Sequence, residues 1–212
     1  MTQPYLEIFN LKKIWSSHGK IINFSLEAEK GSMTAITGPS GCGKSTILRM
    51  IAGLLQPEKN NATRLVLDGV NLLDVPPGKR GIGMVFQSPA LFSHLRTDDN
   101  VAYGLRCRGM SRKESRRLAC QFLERVHMDG FALRKVESLS GGEAQRVSLA
   151  RTMIVKPKLI LFDEPLSALD APLRKKLAQD IVAMQKEWGF TGIFVTHDTA
   201  EAQTVADRII QM

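Results

Sequence analysis

The chain has 212 residues, 43% of them hydrophobic and 24% charged, and its 29 lysines and arginines outweigh 21 aspartates and glutamates to give a formal charge of +8. With a mean hydropathy of −0.10 this is the composition of an ordinary soluble globular chain, long enough to bury its own core without staples. No apolar run approaches the roughly 18 to 20 residues of a membrane-spanning helix, and Met1-Thr2-Gln3-Pro4 lacks a basic-then-apolar signal pattern, so a cytosolic location is expected. Cys42, Cys107 and Cys120 are odd in number and form no C-x-x-C pair, which argues against a disulfide framework and a zinc site. The positive charge fits nucleic acid, an anionic membrane surface or a solvated basic face, and composition does not choose among them.

In chain order, Leu6 to Phe9, Ile21 to Leu26 and Arg64 to Leu67 read as short strands, the last closed by the turn signal Asp68-Gly69. Between them Met33 to Thr37 is apolar enough for a central strand. It runs into Gly38-Pro39-Ser40-Gly41-Cys42-Gly43-Lys44-Ser45-Thr46, after which Ile47, Leu48, Met50, Ile51 and Leu54 recur at helical spacing until Pro57. Ile82 to Phe86 is a further apolar strand, ending at Gln87. The next stretch turns helical, with Ser111 as N-cap, Glu114 three residues on, and Leu118, Ala119, Phe122, Leu123 and Val126 on one face. Leu159 to Phe162 and Ile193 to Thr196 are continuous apolar runs of the kind buried on both faces of a parallel sheet. The chain shows no internal repeat and no low-complexity linker.

Residues 38 to 45 fit G-x-x-x-x-G-K-[ST] without a mismatch, in the strand-loop-helix context the motif requires. Such a loop closes backbone N–H groups around phosphate oxygens beside the positive end of a helix, so Cys42 contributes backbone and not thiol chemistry. Lys44 can reach the β- and γ-phosphates, and the Ser45 hydroxyl can ligate Mg²⁺. Asp163 and Glu164 end an apolar strand, at the sheet edge where ligands bind; Asp163 would hold Mg²⁺ through water, and Glu164 would orient and deprotonate the attacking water. Ser140-Gly141-Gly142-Glu143 fits a capping box ahead of a helix through Val147, Leu149, Ala150 and Ile154, yet two consecutive glycines weaken a helix start unless a ligand approaches the backbone. Its free N–H groups suit a γ-phosphate arriving from a second subunit. Gln87 and His197 each follow an apolar strand, within reach of a metal, water or γ-phosphate, and Trp15 could stack on a purine.

Together these segments resemble the nucleotide-binding subunits of ATP-binding cassette transporters, in the family's order and over nearly the whole chain. By that resemblance Gly38 to Thr46 is similar to the Walker A loop, Leu159 to Glu164 to the Walker B strand, Leu139 to Glu143 to the signature, Ser167-Ala168-Leu169-Asp170 to the D-loop, His197 to the switch histidine, Gln87 to the metal-linking glutamine and Trp15 to the adenine-stacking aromatic. The resemblance implies an α/β P-loop fold with a mostly parallel central sheet, a small N-terminal antiparallel subdomain and an inserted helical subdomain. It implies one ATPase domain over 1–212, with 1–87 and 157–212 as the nucleotide-binding lobe and 88–156 as the helical part. ATP and Mg²⁺ are the implied cofactors. Two copies close head to tail in the family, each ATP lying between the Walker A loop of one and Ser140 to Gly142 of the other. Further implied partners are integral membrane permease subunits, which the family receives in a groove around Ala90 to His94, and an extracytoplasmic solute-binding protein; the site of work is the cytoplasmic face of the membrane.

Gly83 to Gln87 and Asn100 to Leu105 look most like bacterial importers for polyamines, ferric iron, thiamine, sulfate or sugars. The chain departs from the pattern at Glu143, where glutamine is commoner, at Ser93, where proline is usual, at Asn60-Asn61-Ala62-Thr63, and after Met212, where relatives usually continue. The competing reading is a cassette acting on nucleic acid or the ribosome. Such relatives carry coiled-coil insertions or a second cassette, which this sequence lacks, so no nucleic-acid partner is expected. Arg106, Arg108, Arg112, Lys113, Arg116 and Arg117 then form a solvated basic face, with anionic lipid as the next choice. A P-loop kinase or GTPase is contradicted by the signature and by the missing guanine-reading motif.

Overall fold

The computed structural model describes residues 4–15, 20–58 and 60–212. Strands β1 (Leu6–Trp15), β2 (Lys20–Ala28), β4 (Arg64–Leu67) and β5 (Val70–Asn71) form an antiparallel sheet in the order β2-β1-β4-β5. Strands β3 (Met33–Thr37), β6 (Ile82–Val85), β7 (Leu159–Asp163), β8 (Thr191–Thr196) and β9 (Arg208–Gln211) form an all-parallel sheet in the order β6-β7-β8-β3-β9. Every residue of β3, β7 and β8 is buried, as their unbroken apolar runs require of central parallel strands.

Side chains of a strand alternate between faces, and that alternation divides the core in two. Leu159, Leu161, Ile193, Val195 and Ile36 pack towards helix α1 (Lys44–Ala52) and the antiparallel sheet. Ile160, Phe162, Phe194 and Met33 face the opposite side, where α4 (Gly141–Met153) and α5 (Ala171–Trp188) cover them. Helices α2 (Thr97–Cys107) and α3 (Arg112–Arg125) extend this second core, and Ala119, Phe122, Leu123 and Val126 are its α3 contribution, with Ser111 capping the helix through the Glu114 N–H. Helix α6 (Thr199–Val205) follows β8. The α5 helix and β9 were not anticipated from the sequence.

Helix α1 stops earlier than its apolar spacing suggests. Gly53 takes φ +80° and closes the helix, leaving Leu54 53% exposed. The cause lies elsewhere in the chain: the buried Arg80 guanidinium donates to the Met50 and Ile51 carbonyls at 3.2 and 2.7 Å and, through Nε, to Val75 O at 2.8 Å. A Cβ on Gly53 would sit 2.6 Å from the Arg80 Cζ. Burial pushes the Arg80 pKa down, yet the cation is matched to the negative end of α1. Arg80→Met is expected to cost about 2 to 3 kcal/mol, read as a lowered urea midpoint at unchanged m, because it orphans buried carbonyls bonded to a charged donor.

The basic residues of α2, α3 and the turn between them are held in part by acidic partners. Arg106, Arg112 and Arg116 converge on the buried Asp99, and Arg117 pairs with Glu114. Arg108 donates to Val155 O. Arg108, Arg112, Lys113 and Arg117 are nonetheless exposed, as a solvated basic face requires, while Arg106 and Arg116 are partly buried against Asp99.

Candidate functional site

The loop between β3 and α1 leaves the carboxyl end of the sheet, beside the ends of β6, β7 and β8. Gly43 caps α1 at φ +115°, where an L side chain is strained, and an added Cβ would lie 2.5 Å from Ile22 Cδ1. Only glycine lets the antiparallel sheet press this closely on the loop. Lys44 is buried, its ammonium donating to the carbonyls of Gly38 and Pro39 at 2.8 and 3.0 Å, with Cys42 Sγ 3.9 Å away. Ser45 Oγ donates to Asp163 Oδ1 at 2.7 Å. Burial raises the Asp163 pKa, an effect that the Ser45 hydrogen bond and the Arg49 charge oppose.

Glu164 stands at φ +45°, an unfavourable backbone for a non-glycine residue and one that persists because its surroundings hold it. Its N–H donates to Val195 O at 3.0 Å, Gln87 Nε2 donates to its Oε2 at 3.2 Å, and His197 Nδ1 lies 3.3 Å from the same oxygen. The ends of three strands thereby bring Gln87 and His197 to the Glu164 carboxylate. A cleft of about 340 Å³ opens in front of it, lined by Trp15, Ser40, Gly41, Gly43, Lys44, Ser45, Thr46, Gln87 and Glu164. Trp15 is 40% exposed at the end of β1, a position from which a flat apolar ligand can be stacked.

Ser140 to Glu143 stands apart from that cleft. The capping box is complete: Glu143 Oε2 accepts from the Ser140 N–H at 2.7 Å, and Ser140 Oγ accepts from the Glu143 N–H at 3.3 Å. The first of these bonds holds the Glu143 carboxyl below its usual range. The two glycines have different reasons. A Cβ on Gly141 would meet nothing within 4 Å, whereas one on Gly142 would lie 2.9 Å from Leu169 Cδ2. Gly142 thus packs closely on the loop before α5 within one chain, whereas nothing in the chain crowds Gly141. Asp170, the last residue of that loop, caps α5 by accepting from the Leu173 N–H at 3.0 Å.

One residue went unnoticed in the sequence. Gln145 is 1% exposed and donates to Phe86 O at 2.9 Å, directly before Gln87. Thr152 Oγ1 does the same for Met84 O at 3.2 Å. Strand β6 is the sheet edge, and this polar stripe on α4 satisfies carbonyls that a further strand would otherwise have taken. The seven-residue spacing of Gln145 and Thr152 was available as a signal, hidden among the apolar positions of the same helix.

Comparison with known proteins adds the family. The ABC transporter domain family matches residues 21–167. The spermidine/putrescine import ATP-binding protein of Mannheimia succiniciproducens is 44% identical over 99% of this chain and 55% of its own length. The Fe(3+) ions import ATP-binding protein of Photorhabdus laumondii is 43% identical over 99% of this chain and 59% of its own. This chain thus spans a little over half the length of those curated relatives. Among solved structures, the ATP-binding cassette MJ0796, a dimer bound to ADP and Pi, superposes with a TM-score of 0.88 at 32% identity, covering 98% of this chain and 94% of that one. With its phosphate loop, acidic strand end and glycine-bearing helix start in that order and on that fold, the chain belongs to the ABC transporter family.

Proposed function

We propose that this chain binds and hydrolyses ATP to drive solute import through separate membrane subunits, as a peripheral protein at the cytoplasmic face of the membrane. The observation that carries the reading is the convergence of Gln87, His197 and the strained Glu164 in front of the Lys44–Ser45 loop. The import direction is supported by the names of the relatives quoted above, and the peripheral location fits the finding that no helix among the described residues is long and apolar enough to cross a membrane.

The residues fit Mg²⁺. Ser45, whose Oγ bonds Asp163, and Gln87, whose amide bonds Glu164, line the cleft and with Asp163 offer hard oxygen donors, and the described residues contain no cluster of three His, Cys, Asp or Glu side chains that could cage a cation alone. Such a partial ligand set suits an ion that shares its coordination with substrate phosphates and water. When bound, the ion neutralises phosphate charge. The loop N–H groups from Gly38 to Thr46 then bind the phosphates, and Lys44 exchanges its bonds to the Gly38 and Pro39 carbonyls for phosphate oxygens. Trp15 stacks on the adenine. Glu164 accepts the proton of the attacking water, oriented by Gln87 and His197.

Residues 1–87 and 157–212 constitute the nucleotide-binding lobe in this reading, and 88–156 the helical part. A second copy completes the site, with Ser140 Oγ and the N–H groups of Gly141 and Gly142 meeting the γ-phosphate held by the other Walker A loop. Asp170 acts by anchoring its loop to α5, since its carboxylate is used in the cap. Permease subunits and a solute-binding protein complete the transporter.

The test exploits the open space at Gly141. Gly141→Val is expected to leave the unfolding free energy of the isolated chain within about 0.5 kcal/mol, having nothing to clash with. The same variant should weaken ATP-dependent dimerisation by roughly tenfold or more, about 1.4 kcal/mol, as measured by sedimentation. Unchanged dimerisation would remove the head-to-tail arrangement from the proposal.

A further inference from the structure

We propose that Arg174 is a positioning residue for hydrolysis: it ties the loop before α5 to the loop that carries His197, and so sets His197 against Glu164. The inference rests on the reading of Glu164 as the base and goes beyond it to a residue that touches neither nucleotide nor water. Arg174 lies in the first turn of α5, outside the cleft. Its Nη2 donates to Leu169 O at 2.8 Å, holding the loop whose Leu169 side chain packs beside Gly142. Its Nη1 is 3.7 Å from Asp198 Oδ2 and its Nε 3.5 Å from Glu201 Oε1.

The two residues flanking His197 are fixed from that side. Glu201 is buried, and its Oε2 accepts from Thr196 Oγ1 at 2.7 Å; Thr196 Oγ1 in turn accepts from the Asp198 N–H at 3.0 Å. Asp198 Oδ1 caps α6 through the N–H groups of Ala200 and Glu201 at 2.8 and 3.2 Å. Burial pushes the Glu201 carboxyl up, an effect opposed by the Thr196 hydrogen bond and then by the Arg174 cation. The imidazole between these two anchored residues is itself exposed and meets the protein at Glu164 Oε2. Its placement therefore depends on the backbone that Thr196 and Asp198 hold.

A helix-stabilising role does not account for the arginine. A cation in the first turn opposes the positive end of the helix, which the Asp170 carboxylate already caps. Its guanidinium instead joins a backbone carbonyl of one functional loop to the acids of another, a contiguous contact path from Gly142 to His197.

The experiment is steady-state ATPase kinetics on the whole chain. Arg174→Ala should lower kcat about tenfold with the KM for ATP within about twofold, and Arg174→Lys should recover most of the loss. In a His197→Ala background, Arg174→Ala should cost less than about twofold more, because the residue acts through the histidine. An unchanged kcat, a rise in KM alone, or losses that multiply in the double variant would each overturn the proposal. Should Arg174→Ala fail to fold, Arg174→Gln, which keeps a donor for Leu169 O but not the charge, takes its place with the same expected non-additivity. Full turnover in Glu164→Gln would overturn the reading beneath; full turnover in Arg174→Ala beside inactive Glu164→Gln and His197→Ala would overturn this inference alone.

Discussion

Glu164→Gln is expected to lower ATP turnover by about 10² to 10⁴ while nucleotide binding survives. The substitution is nearly isosteric, so the amide oxygen still accepts from Gln87 Nε2 and the backbone N–H still bonds Val195 O. What is lost is the capacity to take a proton. Binding is expected to survive because the proposed phosphate-binding groups, Lys44, Ser45 and the loop N–H groups, lie at the start of α1 and in the loop before it, away from the residue after β7. Slow hydrolysis should in turn hold two copies together on ATP. Single-turnover hydrolysis, equilibrium nucleotide binding and sedimentation with ATP read the three effects separately. Turnover within about tenfold of wild type would remove Glu164 as the base, and a monomer with ATP bound would count against the shared site.

The strained backbone at Glu164 shows how much of such a site a sequence can carry. The paired acids after an apolar run were legible, because a central parallel strand buries every side chain and ends where polarity begins, and β7 does both. The Gly38 to Thr46 loop was legible because its spacing and its strand-loop-helix context are local. Ser140 and Glu143 were legible as a capping box for the same reason. What escaped depends on contacts distant in sequence. Arg80 ends α1 from about thirty residues away, so apolar spacing alone overran the helix to Leu54. Leu169 packs against Gly142 from the loop before α5. Strand β9 carries only four residues, three of them exposed, and its identity comes from pairing with β3 and not from its own pattern.

The charged residues of α2 and α3 were read by sign and not by partner, and Asp99 decides between the two. Its side chain is 6% exposed and accepts from Arg116 Nε and Nη2 at 2.9 and 2.6 Å, with Arg106 Nη1 at 3.1 Å and Arg112 Nη2 at 3.7 Å. Asp98 beside it is as deeply buried and pairs with Arg96 at 2.7 Å. Both acids occupy the first turn of α2, where the helix dipole favours them. Asp99→Asn is expected to destabilise the chain by about 1 to 3 kcal/mol at pH 7, because it removes the buried counter-charge of guanidinium groups that solvent only partly screens. Arg116→Leu combined with it should cost less than the two single changes added together.

The pH dependence has a definite sign. Arg116 holds the Asp99 carboxyl below its ordinary range, so the native state binds its proton less readily than the unfolded chain does. Its stabilisation is then complete above the unfolded carboxylate value of about 4 and is lost as pH falls through the lower native value. Urea unfolding of wild type and Asp99→Asn should accordingly show a wide gap at pH 7 that narrows once the pH drops below about 4. A cost under about 1 kcal/mol at pH 7, or a gap indifferent to acid, would class these pairs with solvent-screened surface bridges. In that event Arg106, Arg112 and Arg116 would be free to act outward, and anionic lipid or nucleic acid would regain a basic face to bind.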